Sequence, residues 1–136
     1  MKERVLILCT HNSARSQMAE GFLRHMAGDR FEVVSAGTEQ TEVRPEAVEA
    51  MRKHGVGISH HTSKTLDQFL GEQWNYVITV CDQAHESCPV FPGARRRLHW
   101  SFPDPSAVQG RGRQHAFNAV ADAIHDELRR WLSNFE

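Results

Sequence analysis

The sequence predicts an α/β fold: one four-stranded parallel sheet in the order 2-1-3-4, with helices on both faces. Three observations predict it. Short apolar runs such as Val5-Leu6-Ile7-Leu8 and Tyr76-Val77-Ile78-Thr79-Val80 alternate with stretches of helical periodicity, the pattern of a parallel sheet joined by helical crossovers. The chain has 136 residues and no visible internal repeat, which suits a single domain 1–136 with a core of its own. Cys9, Cys81 and Asp104 each follow an expected strand. Sheets of this kind hold ligands beyond the carboxyl ends of their strands, so the three residues belong on one edge.

Each element has its own signal. The first strand covers 4–8. A helix over 15–27 carries Met18, Ala19, Phe22, Leu23 and Met26 on one face and stops at Gly28. The second strand, 31–35, contains Phe31, Val33 and Val34 and is stopped by Gly37. Pro45 suits the first turn of a helix through Ala47, Val48 and Met51 to Gly55. Residues 65–70 read as a short helix, and 76–80 as a buried strand. A last strand is expected at 96–100 despite the arginines Arg95, Arg96 and Arg97. In the final helix Phe117, Val120, Ala121, Ile124, Leu128, Trp131, Leu132 and Phe135 share one face. Trp74, Trp100 and Trp131 read as packing residues rather than ligand platforms.

Between the first strand and the first helix stands Cys9-Thr10-His11-Asn12-Ser13-Ala14-Arg15-Ser16, a C-x5-R-S loop. A strand, a tight loop and a helix start leave backbone N–H groups without helical partners. Those groups and the helix dipole favour a bound oxyanion. The backbone of Thr10, His11, Asn12, Ser13 and Ala14 would line the cradle, and Arg15 would grip two oxygens with its planar fork. The same positive field favours the Cys9 thiolate. An unperturbed thiol is about 3% ionised at pH 7, and a pKa near 6 would make it about 90%. The alternative is a buried structural cysteine followed by a chance arginine.

Bulk properties exclude several classes. The formal net charge is −1, so nothing in it favours nucleic acid or an anionic membrane. No apolar run approaches the ~18 residues of a membrane span. The N-terminus offers only four apolar residues after its charges, so no signal peptide is expected. A cytoplasmic monomer is expected. Three cysteines in a reducing compartment argue against a static disulfide framework.

Cys81 and Cys88 lie seven positions apart, with His85 between them. They read as a metal site, as two inert core cysteines, or as a redox pair serving Cys9. The C-x3-H-x2-C spacing is not that of structural zinc and lacks an evident fourth ligand. Polar residues between the cysteines favour an exposed loop and hence the redox pair; no metal and no cofactor are expected. Asp104 precedes Pro105, which keeps it extended. It reads either as an ordinary turn or as a carboxyl over the anion loop, able to protonate a leaving oxygen.

Together these stretches resemble one family. Cys9-Thr10-x-Asn12-Ser13-x-Arg15-Ser16-Gln17-Met18-Ala19-Glu20-Gly21, Ser35-Ala36-Gly37, His61-Thr62-Ser63, Val80-Cys81, Cys88-Pro89, His99-Trp100 and Asp104-Pro105 are similar to the thioredoxin-coupled arsenate reductases. That family shares the fold and anion loop of low-molecular-weight tyrosine phosphatases. The resemblance implies arsenate reduction by a relay. Cys9 attacks arsenate held by Arg15 and the loop, and Asp104 protonates the departing oxygen. A Cys9–Cys81 and then a Cys81–Cys88 disulfide form, and thioredoxin reduces the last. Ser16 resembles the hydroxyl that hydrogen-bonds the nucleophile, and Asn12 the residue that holds the loop's shape. Phosphate and sulfate would compete with arsenate. The phosphatase branch usually has Pro at Gln17 and tyrosines at Ser106-Ala107, and it does not need the Cys81/Cys88 pair. A tyrosine phosphatase remains the alternative, and a thiol-based metal or arsenite binder a third reading.

Two departures carry further expectations. His11 stands where the family usually has Gly; if that position needs positive φ, His is tolerated better than most side chains but at some cost. Some members bind potassium through residues matching Asn12, Glu20, Ser35 and Thr62, with an acidic ligand where this chain has Lys64. An ammonium there would substitute for the ion. The Cys81–Cys88 pair also implies motion. In a regular helix seven steps separate the Cα atoms by about 10.5 Å, and a disulfide needs them within roughly 7 Å. Residues 81–88 are therefore expected to be partly helical when reduced and unwound when oxidised.

Overall fold

Val5, Leu6, Ile7 and Leu8 are fully buried, as the central strand of a sheet covered on both sides requires. In the computed structural model, which describes residues 2–82 and 89–135, they belong to β1 (Glu3–Cys9). β2 (Phe31–Gly37) pairs in parallel with one edge of β1, β3 (Trp74–Thr79) with the other, and β4 (Ala94–His99) with β3. The order is β2-β1-β3-β4, as the sequence predicts. Register aligns the strand ends: Cys9 stands opposite Gly37, Leu8 opposite Thr79, and Thr79 opposite His99.

Alternation along β1 divides the core. Val5, Ile7 and Cys9 face a cluster built with α1 (Arg15–Ala27), α2 (Pro45–Lys53) and α3 (Arg113–Ser133). Leu6 and Leu8 join Ala36, Trp74, Val77 and Phe91 on the other face. Leu66 and Phe69 of a 3-10 helix, Leu66–Phe69, pack there. Helices thus lie on both faces, but unequally. Among the described residues all three α-helices feed one cluster, and the opposite face is covered by a single 3-10 turn and Phe91. The segment between Thr65 and Gly71 is short enough for the tighter helix, which is favoured only in short runs.

Most boundaries follow the sequence reading. α1 has the expected limits, and α2 has proline in its first turn. β2 runs two residues beyond Ser35, and β3 and β4 each begin two residues early. The arginines of β4 are exposed because β4 is an edge strand bonded on one side only. On α3 six of the expected face residues are buried and Leu132 packs partly against them. Phe135 lies past the helix end and is 37% exposed, though its ring centre sits 5.1 Å from that of Trp131. Close packing of α1 depends on Gly21, where a Cβ would meet Ile58 Cγ2 at 2.6 Å. The expected conformational switch falls on 83–88, outside the described residues.

Candidate active site

The loop from Cys9 to Arg15 is held by bonds to its carbonyls. Thr10 O accepts from Thr38 N at 2.9 Å and Glu39 N at 3.2 Å. His11 O accepts from Thr41 Oγ1 at 2.9 Å, and Ser13 O accepts from Arg44 N at 2.9 Å. In a trans peptide the C=O and the following N–H point in opposite directions. Carbonyls turned outward to these donors therefore turn the N–H groups of His11, Asn12 and Ala14 toward the inside of the loop. Ala14, before α1, offers no side-chain cap, and the first turn of α1 contains no acidic residue. The helix start thus keeps its N–H groups and positive end for an anion.

Asn12 shapes this loop. It is the non-glycine residue with positive φ, 49°, among those described. The left-handed position is therefore Asn12, and His11 does not need positive φ. Asn tolerates that region through its short polar side chain. Its Nδ2 donates to Ser16 Oγ at 2.8 Å and Ser35 Oγ at 2.9 Å, and its Oδ1 accepts from Lys64 N at 2.8 Å. His11 instead sits at the rim, its Nδ1 3.0 Å from Glu39 Oε2.

The remaining expected residues converge on this edge. Cys9 is a buried thiol outside any disulfide. Arg15 is 2% exposed, and its Nη1 donates to Phe102 O at 3.1 Å. Its Nη2 lies 4.0 Å from Asp104 Oδ2. A buried guanidinium at a helix start suits a doubly charged oxyanion. Ser16 and Ser13 are buried beside it. Asp104 stands in a turn and faces Arg15. Its Oδ1 accepts from Ser106 N at 2.9 Å, as in a turn, and its Oδ2 faces Arg15. Cys81 follows β3 by two residues. Val80 N donates to Leu8 O at 3.0 Å, so the ladder continues to the level of Cys9. With strands about 4.8 Å apart, Cys81 lies one residue from being directly across from Cys9. Cys81 is fully buried, not exposed as its polar surroundings suggest, and it stands in a disulfide in which Cys9 takes no part. Cys88 and His85 lie outside the described residues.

The sequence reading gives Gln17 no role at this site. Gln17 is fully buried. Its Nε2 donates to Asn12 Oδ1 and Thr62 O, each at 2.9 Å, while its Oε1 lies 3.0 Å from His61 Nδ1. A polar residue on the buried side of an amphipathic helix is the signal that points to it. Glu20 Oε1 accepts from Ser35 N at 2.8 Å and Ser35 Oγ at 2.7 Å. Lys64 Nζ donates to Thr62 O at 2.8 Å and lies 4.0 Å from Glu20 Oε1. Asn12, Glu20, Ser35, Thr62 and Lys64 thus form one cluster behind the loop. Burial holds Lys64 below its ordinary pKa and outweighs the pull of Glu20. The same balance lowers His61. No group of three or more His, Cys, Asp or Glu among the described residues is arranged to hold a metal.

Known proteins resemble the chain over its whole length. The model of the low molecular weight phosphotyrosine protein phosphatase family matches residues 4–136. An arsenate reductase of Halalkalibacterium halodurans is 40% identical over 134 residues, which cover 98% of this chain and 95% of that protein. A solved arsenate reductase in the phosphate-binding state superposes with a TM-score of 0.84 at 26% identity, over 98% of this chain and 99% of that one. The thioredoxin-dependent arsenate reductase of Corynebacterium glutamicum gives 0.70 at 30% identity, over 99% of this chain and 64% of that one. With the match running from β1 to the end of α3, the chain belongs to the low molecular weight phosphotyrosine protein phosphatase family, alongside its arsenate reductases.

Proposed function

We propose that the protein is an arsenate reductase that works through a relay of Cys9, Cys81 and Cys88, as a cytoplasmic monomer recharged by thioredoxin. The observation that supports this reading is the register: Cys9 ends β1, Cys81 stands two residues past the end of the adjacent β3, both are buried, and Arg15 at the start of α1 faces Asp104. The Cys9 thiolate attacks arsenic(V). An S–As bond forms, an As–O bond breaks, and the Asp104 proton lets the oxygen leave as water. The Cys81 thiolate then attacks Cys9 Sγ. An S–S bond forms, and the S–As electron pair stays on arsenic, which departs as arsenite. Arsenic gains two electrons and two thiol sulfurs lose one each. Cys88 attacks Cys81 and expels Cys9 as thiolate, and the thioredoxin dithiol reduces the resulting disulfide. Each transfer between sulfurs is favoured by proximity and thiolate character.

The anion loop with Asp104 would also suffice for phosphate ester hydrolysis, and the family description favours that as a second activity. The two readings separate by assay: arsenite release with thioredoxin, thioredoxin reductase and NADPH, beside aryl phosphate hydrolysis. Cys9→Ser, Cys81→Ser and Cys88→Ser should each reduce multiple turnover of arsenate to background. Cys9→Ser should also lose hydrolysis, while Cys81→Ser keeps it. Normal turnover by Cys88→Ser with thioredoxin would refute the relay. Efficient hydrolysis of phosphotyrosine with no arsenite formed would establish the phosphatase.

A further inference from the structure

The acid at this site stands on a loop, whereas Cys9 and Arg15 stand on a strand end and a helix start. Hydrogen bonding within the sheet therefore does not set the distance from Asp104 to the anion loop. Arg113, the first residue of α3, touches what does. Its Nε donates to Glu46 Oε2 of α2 at 2.8 Å. Its Nη1 donates to Ser106 O at 2.8 Å and to Val108 O at 3.1 Å. Its guanidinium carbon lies 5.3 Å from the centre of the Phe117 ring.

Ser106 is the shared link. Its N–H is donated to Asp104 Oδ1 and its carbonyl accepts from Arg113, so the turn that carries the acid is held from both sides. Pro105, between them, is buried. Glu46 lies in the first turn of α2, and the residue preceding that helix, Arg44, donates its N–H to Ser13 O in the anion loop. A continuous set of contacts thus runs from the anion loop through α2, Glu46 and Arg113 to Ser106 and Asp104. The planar guanidinium serves Glu46 and the two carbonyls from one rigid group, a task a single ammonium performs poorly. Arg113 also holds the Glu46 carboxyl below its ordinary pKa.

We propose that Arg113, paired with Glu46, is a positioning residue that holds Asp104 Oδ2 over the anion loop. The proposal rests on the reading of Asp104 as the acid. It does not require Arg113 to touch the oxyanion, so its loss acts through Asp104 alone.

The test is a double-mutant comparison on the intact protein, reading the single-turnover rate of arsenite formation from reduced enzyme. Asp104→Asn should slow that rate by about 10²-fold or more, the usual weight of a positioned acid. Arg113→Met should slow it by roughly tenfold to 10²-fold, as expected for a misplacement of about 1 Å, with KM for arsenate within about threefold of the parent. Arg113→Lys should fall between. The double variant should be no slower than Asp104→Asn alone, because a group that acts through another adds nothing once that other is gone. Multiplying losses in the double variant would overturn the proposal, as would an Arg113→Met rate equal to the parent's. An unaffected Asp104→Asn would instead refute Asp104 as the acid, and this proposal with it. If Arg113→Met does not fold, Glu46→Gln replaces it in the same comparison with the same expected outcomes.

Discussion

Gly37→Ala should damage the anion loop from outside it. Gly37 ends β2 opposite Cys9. A Cβ there would lie 2.7 Å from Thr10 O, 2.8 Å from Cys9 O and 2.9 Å from Asn12 N. These distances fall short of an ordinary 3.4 Å contact by 0.5 to 0.7 Å. All three atoms are backbone, so no side chain can rotate away. Either the strand or the loop must move by that amount. A binding cradle tolerates displacements of about 0.5 Å, so the shift reaches the function. Overpacking of this kind costs about 1–3 kcal/mol, and misplacement at the site about 10²-fold in kcat/KM. The effect is steric, because Gly37 does not have positive φ. Gly57→Ala and Gly71→Ala are the controls: each Cβ would meet nothing within 4 Å, and each should stay within about 0.5 kcal/mol. Urea denaturation gives the stability, and arsenate turnover with phosphate as competitor gives the site. Gly37→Ala within 0.5 kcal/mol and twofold of the parent on these scales would refute the argument that β2 buttresses the loop.

Two further outcomes test the cluster behind the loop. His61 has its pKa lowered from 6.5 by burial, so between that lower value and 6.5 the unfolded chain binds more protons than the folded one. Stability from neutral His61 is then full above about pH 6.5 and is lost as pH falls through the folded value, at no more than about 1.4 kcal/mol per pH unit. His61→Gln should flatten the acid limb of a urea-melt series, and an unchanged limb would show that His61 does not contribute. Because the Lys64 ammonium lies against Thr62 O and Glu20, exchanging sodium for potassium chloride at equal ionic strength should leave kcat/KM unchanged. A threefold stimulation by potassium would show that the cluster takes an ion despite Lys64.

Much of this was written along the chain because it is local. The run Val5 to Leu8 has no polar residue to face water, so it specifies a strand covered on both sides. The alternation of such runs with helical periods specifies a parallel sheet, and strand ends place Cys9, Cys81 and Asp104 on one edge. C-x5-R names an anion loop because the spacing and the adjoining helix are sequence properties. What only tertiary structure decided depends on groups far apart in the chain. Asn12 holds the left-handed position because its side chain meets Ser35 and the Lys64 backbone, contacts that the chain makes only once folded. The polar residues after Cys81 suggested exposure, yet its side chain is buried because it continues the level of β1. Gln17 is buried although it is polar, because the 60–64 segment covers it through Thr62 and His61. Covering of the sheet was decided the same way: α2 joins α1 and α3 on one face because Gly21 admits Ile58 and Met51, a contact between segments that periodicity within each cannot encode.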